Sequence, residues 1–170
     1  MANIAQVVNV LQSMILTDQV GTGHMVLTPT YHVFEMYTPF QEATFLPVDL
    51  ESEVVQCSKA YFKEKANTSD NTTRPCPLLS ASAAKTTDGS LVLAITNVSL
   101  DKDQTIDFAI DGYAAKTVSG RILTSKKADD FNDFNNPNVV APKEFKDAKL
   151  KKGVLTVKVP AKSVIVLNIK

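Results

Sequence analysis

Residues 155–170, LTVKVPAKSVIVLNIK, decide the fold class of this chain. Leu155, Val157 and Val159 alternate with polar side chains, which is the pattern of a strand with one buried face. Residues 160–163 predict a turn, and residues 164–169 are nearly all apolar, as expected of a strand buried on both faces. The stretch therefore predicts two consecutive strands of a packed β-structure.

The chain before this stretch shows the same pattern of short strands separated by turns. The pairs Asp88-Gly89 and Asp111-Gly112 mark turns. Strands are predicted at 43–48, 79–86, 90–100, 105–110 and 116–123. Residues 127–142 are rich in Asp, Asn and Pro and predict a long loop, interpreted as a plain connection or as a loop reaching toward a neighbouring active site. Short strands at this spacing predict a mainly β, jelly-roll-like antiparallel β-sandwich over residues 39–170.

The most polar stretch, residues 57–77, is interpreted as an exposed excursion between strands. The two cysteines of the chain, Cys57 and Cys76, flank it. Two cysteines can form one disulfide but do not make a framework, so pairing and redox compartment stay open.

The opening residues 1–16, MANIAQVVNVLQSMIL, predict an amphipathic helix. Its apolar stripe consists of Ile4, Val7, Val8, Leu11 and Ile15. The polar row beside this stripe consists of Asn3, Gln6, Asn9 and Ser13. A short strand is expected at 24–27, followed by a helix over 29–38 with Thr28 as N-cap and Pro29 at its first position. Since the first helix opens without a cap, we expect the chain to be the tail of a longer protein.

Composition narrows the class of partner. Lys plus Arg and Asp plus Glu number 18 each, so no excess of cations predicts nucleic-acid binding. No stretch approaches the ~18 apolar residues needed to span a bilayer. No signal peptide is visible, and the compartment stays open. We expect neither a nucleic-acid nor a membrane partner.

Candidate catalytic and metal-binding residues are few. His24 and His32 lack a Cys or carboxylate at ligand spacing, so no metal site is predicted. Gly21 and Gly23 do not follow a buried strand, which argues against a phosphate loop. The carboxylates lie in predicted loops or on solvated faces and are expected to be surface residues; the candidates are Glu35, Glu42, Asp129, Asp130 and Asp133. The amides of the first polar row suit sugar hydroxyls, because each amide both donates and accepts.

Four segments together resemble one family. Residues 2–18, ANIAQVVNVLQSMILTD, and 25–37, MVLTPTYHVFEMY, resemble the late catalytic barrel of family 51 α-L-arabinofuranosidases. Residues 119–140, SGRILTSKKADDFNDFNNPNVV, and 155–170 resemble the C-terminal β-sandwich of the same enzymes. The resemblance implies that residues 1–38 are a helical remnant of a (β/α)8 barrel, contributing one or two helices, and that 39–170 form the sandwich.

The resemblance also implies an activity for the parent protein. Members of the family remove terminal arabinofuranosyl groups from arabinan, arabinoxylan and related oligosaccharides with retention of configuration, using two glutamates and no metal or organic cofactor. Both glutamates are expected upstream of this chain, which would leave it without catalytic residues and inactive alone. Gln6 is expected to contact the arabinose in the intact enzyme, with Asn3 shaping the same rim.

Two alternatives remain beside the hydrolase. A non-catalytic carbohydrate-binding module needs exposed aromatic side chains to stack on sugar rings. The chain has no Trp, and the other aromatics of the predicted sandwich show no platform spacing. A sandwich that braces a barrel and mediates oligomer contacts needs no ligand. We expect a homo-oligomer or a folded-back helix, because the apolar stripe of the first helix requires a partner surface.

Overall fold

The computed structural model describes residues 4, 7–10, 13–18, 21–58 and 73–170, and the account below is confined to them. One α-helix, α1 (Pro29–Met36), precedes a single 3-10 turn at Thr38–Phe40. The strands are β1 (Ile15–Thr17), β2 (Met25–Leu27), β3 (Thr44–Leu46), β4 (Val54–Ser58), β5 (Thr73–Pro77), β6 (Leu79–Lys85), β7 (Leu91–Asn97), β8 (Gln104–Ala109), β9 (Val118–Thr124), β10 (Lys143–Glu144), β11 (Ala148–Lys151), β12 (Val154–Val159) and β13 (Ser163–Ile169).

Two antiparallel sheets form the predicted β-sandwich. The larger sheet has the order β10-β9-β13-β7-β6-β3, and the smaller has the order β11-β12-β8. Strand β13 lies between β7 and β9, and Ile165 pairs with both Ile95 and Ile122. The continuous apolar run at 164–169 is therefore a central strand, as its composition predicted.

The main core fills the space between the two sheets. Leu155, Val157 and Val159 of β12 point inward and are fully buried, which confirms the alternation seen in the sequence. They pack with Ile95 and Leu167 of the larger sheet in one cluster. Burying each such side chain contributes about 1.5–3 kcal/mol, so this cluster is the dominant stabilising element of the sandwich.

A second apolar cluster covers the outer face of the larger sheet. Met36 of α1 packs against Val92, Leu123 and Val166, which point away from the main core. This cluster explains why β13 is buried on both faces. The helix begins as predicted, because Thr28 accepts a hydrogen bond from the Tyr31 backbone N–H at 3.4 Å.

Both Asp-Gly turns occur where the sequence predicts them. Gly89 and Gly112 have φ values of 85° and 71°, a region that favours glycine. Asp88 accepts hydrogen bonds from the Thr86 hydroxyl and the Ser90 backbone N–H. These bonds lower the pKa of Asp88 from 3.8 to about 2.

Strands β4 and β5 form a two-stranded sheet of their own at the ends of the predicted polar excursion. Residues 59–72, the middle of that excursion, lie outside the described residues. Pro75 and Pro77 cannot donate to the ladder, so on β5 its donors are the backbone N–H groups of Arg74 and Cys76. The excursion therefore starts and ends in paired structure.

The predicted helix over 1–16 is wrong in its described part. Ile15–Thr17 is strand β1, paired with β2, and Val8 forms a parallel bridge with Ile15. Asn9 has a φ of 55°, which interrupts any right-handed helix. The apolar spacing was compatible with a helix, but the backbone instead turns at Asn9 and pairs as strand. The separate prediction of a strand before the helix at 29–38 is confirmed by β2 and α1.

Candidate functional site

The residue expected to contact substrate, Gln6, lies outside the described residues, and so does Asn3. The segment that follows them is well defined. Val7 accepts hydrogen bonds at its carbonyl from the backbone N–H groups of Met14 and Ile15, at 2.9 and 3.0 Å. Residues 7–10 and 13–17 are therefore the described part of the chain nearest in sequence to the candidate residue.

Asn9 and Ser13, which were expected to share a polar helix face with Gln6, have other roles. The Asn9 amide donates to the Thr17 hydroxyl at 2.8 Å and accepts from the Thr17 backbone N–H at 2.7 Å. Ser13 is buried, and its carbonyl accepts from the Thr28 hydroxyl at 2.7 Å. Both residues thus fix the path of the segment between Val7 and α1, and the Asn9 amide is engaged by Thr17.

The loop at 127–142 attaches to this segment through Asn132. Its buried amide nitrogen donates to the carbonyls of Leu27 and Val140, both at 2.9 Å, and its oxygen accepts from the Val140 N–H at 2.8 Å. The two phenylalanines of the loop, Phe131 and Phe134, point outward and are 65% and 47% exposed. The loop is therefore a rigid part of the surface next to β2.

Helix α1 meets the larger sheet at a small cavity that has both apolar and polar lining residues. Arg121 of β9 donates to the Glu35 carboxylate at 2.6 Å. A cavity of about 220 Å³ beside this pair is lined also by Asn168, whose buried side-chain oxygen has no hydrogen-bond partner among the residues that the structure describes. Burial of His32 lowers its pKa, so the imidazole is held neutral near this pair. The His32 ring packs edge-on against the Tyr31 ring, with 5.6 Å between the centroids.

The carboxylates named as catalytic candidates from the sequence lie in an ion pair, in local hydrogen bonds or exposed at the surface. Glu35 is engaged by Arg121, and Glu42 is exposed with a φ of 58°. Asp130 accepts from the Ser125 hydroxyl and the Lys127 N–H, which lower its pKa. Asp133 accepts from the backbone N–H groups of residues 135 and 136. A general acid in glycoside hydrolysis needs a raised pKa, and the shifts resolved for described carboxyl groups all run downward.

Within the described ranges, no three His, Cys, Asp or Glu side chains are grouped so as to hold a metal ion. The same part of the chain contains no helix of the length and apolarity required to cross a bilayer. A second cavity, of about 790 Å³, opens near Phe108, Tyr113 and Asp111 and is mainly apolar.

The chain matches a known protein family over nearly all of its length. Residues 1–163 match the family model described as "Alpha-L-arabinofuranosidase C-terminal domain". The chain belongs to this family. The arabinofuranosidase C-terminal domain is 45% identical, over all 170 residues, to an "Intracellular exo-alpha-L-arabinofuranosidase" of Bacteroides ovatus and covers 30% of that protein.

Solved structures agree with this assignment of the arabinofuranosidase C-terminal domain. The GH51 arabinofuranosidase from Xanthomonas axonopodis pv. citri is 37% identical, with a TM-score of 0.85 over 100% of this chain and 31% of that chain. The arabinose complex of the Thermotoga maritima enzyme, at 22% identity, shares the fold with a TM-score of 0.74, over 96% of this chain and 32% of that one. The resemblance to family 51 is thereby confirmed. The chain spans about a third of the length of these relatives.

Sequence reasoning missed the residue that organises this region, Asn132. It lies in a segment with four asparagines and no periodic pattern, so nothing local distinguishes it from Asn135, Asn136 or Asn138. Only the long-range contact with Leu27 gives it a role. The interpretation of 127–142 as a loop is confirmed, since no strand or helix falls within it.

Proposed function

We propose that this arabinofuranosidase C-terminal domain acts within an exo-acting α-L-arabinofuranosidase, a retaining glycoside hydrolase. The intact enzyme removes terminal arabinofuranosyl groups from arabinan, arabinoxylan and their oligosaccharides. The observation that carries this proposal is the 45% identity to a named exo-α-L-arabinofuranosidase over the whole chain. Double displacement requires a glutamate nucleophile and a glutamate acid/base, which this proposal assigns to residues outside the chain.

Residues 1–38 complete the catalytic barrel in this proposal, and residues 39–170 form the sandwich. Supporting this division, β1 and β2 form a sheet separate from both sheets of the sandwich. Helix α1 lies on the outer face of the larger sheet, where it buries Met36. Val33 of the helix packs against the same outer-face cluster, which links α1 to the sandwich.

Gln6 binds the arabinofuranosyl group in the intact enzyme. Its amide can donate to one sugar hydroxyl and accept from another, which suits a ring with adjacent hydroxyls. Support comes from the ordered segment directly after it, where Val7 and Asn9 are held by backbone and side-chain hydrogen bonds.

A nitrophenyl α-L-arabinofuranoside assay tests the proposal. The 170-residue chain alone is expected to give no turnover, whereas the polypeptide that includes the preceding reading frame is expected to hydrolyse the substrate. In that longer polypeptide, Gln6→Ala should lower kcat/KM by about 10–100-fold, the cost of one or two hydrogen bonds to substrate. Asn135→Ala is the matched control and should leave kcat/KM unchanged.

Turnover by the chain alone would refute the placement of both glutamates outside it. Binding of arabinan by the chain without turnover in the longer polypeptide would favour the carbohydrate-binding alternative.

The proposed homo-oligomer draws support from exposed apolar side chains near the start of the chain. Val7, Val8 and Met25 are between 45% and 57% exposed, and Phe131 and Phe134 lie on the loop that Asn132 ties to β2. Side chains of this kind on connected segments form a surface suited to burial against another protein body. In the intact enzyme this surface contacts the barrel or a second subunit.

A further inference from the structure

The two cysteines of the chain lie on neighbouring strands of the β4–β5 sheet. Val55 pairs with Cys76, and Cys57 pairs with Arg74, so the two cysteines occupy diagonal positions. Residues two apart on a strand point to the same face, which places both thiols on one face of this sheet. The sequence alone left their pairing open, because residues 58–75 separate the two cysteines.

The thiols are in contact and accessible. Both cysteines are free and half-buried, and the Cys57 thiol shares a hydrogen bond with that of Cys76. This bond and burial raise the pKa of Cys57, while the positive charge of Arg74 opposes the shift. The raised pKa disfavours the Cys57 thiolate, and the reaction of Cys57 with a disulfide accelerates as pH rises, because only the thiolate attacks.

We propose that Cys57 and Cys76 form a reversible intramolecular disulfide by exchange with a low-molecular-weight disulfide such as oxidised glutathione. The Cys57 thiolate attacks one sulfur of oxidised glutathione, which forms a mixed disulfide and releases one glutathione thiolate. The Cys76 thiolate then attacks the Cys57 sulfur and releases the second glutathione. Two protein thiols lose two protons and two electrons, and one glutathione disulfide becomes two glutathione thiols.

The sheet must tighten for this bond to form. Diagonal neighbours in an antiparallel pair are typically about 7–8 Å apart at Cα, whereas disulfides favour about 4.4–6.8 Å. Strands β4 and β5 pair only with each other among the described strands, so they can approach without disturbing either sheet of the sandwich. A bond formed under such strain is readily reduced, which makes it a reversible modification and not a permanent crosslink.

Mass spectrometry of the folded 170-residue chain tests this proposal. After incubation with excess oxidised glutathione at pH 8, the chain should lose the mass of two hydrogens and yield a peptide pair linked through Cys57 and Cys76. Excess reduced glutathione should restore the original mass. Cys57→Ser and Cys76→Ser should each instead gain one glutathione, because the first exchange has no second thiol to resolve it.

Recovery of the wild-type chain with two bound glutathiones, or with both thiols unmodified, would overturn the proposal. Far-UV circular dichroism of each serine variant checks that the fold is retained. As an independent readout, oxidation should raise the urea midpoint of the wild-type chain, since a crosslink restricts the unfolded chain. The Cys57→Ser/Cys76→Ser double variant should show no such change, and an equal shift in that variant would also contradict the proposal.

Discussion

The side-chain amide of Asn132 donates to the carbonyl of Leu27 across 2.9 Å and so fastens the 127–142 loop to strand β2. The same side chain satisfies both backbone groups of Val140. A single buried amide therefore connects parts of the chain that are 105 residues apart in sequence.

Replacing Asn132 by Ala should lower the free energy of unfolding by about 1–3 kcal/mol. The substitution leaves the Leu27 carbonyl and the polar groups of Val140 without their partner. Urea unfolding followed by circular dichroism measures the change. Asn135→Ala removes an exposed asparagine amide of the same loop and should shift the midpoint little. Equal effects of the two substitutions would show that the Asn132 contacts carry no special weight.

Helix α1 should depend on Met36 and not on its ion pair with the sheet. Met36 is 2% exposed, and Met36→Ala is expected to cost about 2–5 kcal/mol of unfolding free energy. The Glu35–Arg121 pair is partly exposed, so Glu35→Gln should cost under about 1 kcal/mol, with an effect that falls as salt is added. Denaturant unfolding of both variants at low and high salt separates the contribution of the buried Met36 side chain from that of the ion pair. A larger loss from Glu35→Gln would contradict the assignment.

Asp88 should contribute to the acid limb of the stability profile. Its folded pKa of about 2 lies below the ordinary value of 3.8 because Thr86 and Ser90 donate to its carboxylate. The group therefore stabilises the fold above about pH 4, and this contribution disappears as the pH falls through about 2. Unfolding midpoints measured between pH 5 and 2 should fall less steeply in Asp88→Asn than in the wild type.

Thr86→Val provides the matched test of the cause. It removes the largest source of the lowered pKa while keeping the Asp88 charge. The acid limb of this variant should also flatten. An unchanged slope in both variants would rule out the turn as its source.

The isolated chain should self-associate through the exposed apolar side chains near β2. Phe131 and Phe134 are the largest of these, and Phe131→Ser/Phe134→Ser should reduce association in sedimentation experiments over a range of concentrations. Phe45→Ser is a suitable control, because this exposed phenylalanine lies on edge strand β3 of the larger sheet. Monomeric behaviour of the wild-type chain at all concentrations would contradict the prediction.

The strands of the sandwich were predictable because their burial has a period of two or is continuous. Leu155, Val157 and Val159 alternate with polar residues, and the 164–169 run lies between two strands and beneath a helix. In both cases the local pattern and the final packing agree. The Asp88-Gly89 turn was predictable for the same reason, since its backbone requirement is local.

The start of the chain was not predictable in this way. Ile4, Val7, Val8 and Ile15 have helical spacing, but the Asn9 turn and the pairing of β1 with β2 depend on distant residues. The residues of the candidate site also could not be predicted from a local sequence pattern. Gln6 came from a resemblance between sequences, and Asn132 acquires its role only through a contact with Leu27 that no sequence pattern signals.

The prolines of β5 have a consequence for how the chain behaves among its own copies. Because Arg74 and Cys76 donate toward β4, the outward positions of β5 include Pro75 and Pro77, which carry no hydrogen to offer. An incoming strand would find no donor at Pro75 or Pro77 and could not complete a ladder there. The two prolines therefore protect this border of the sheet against fibril-like addition of further strands.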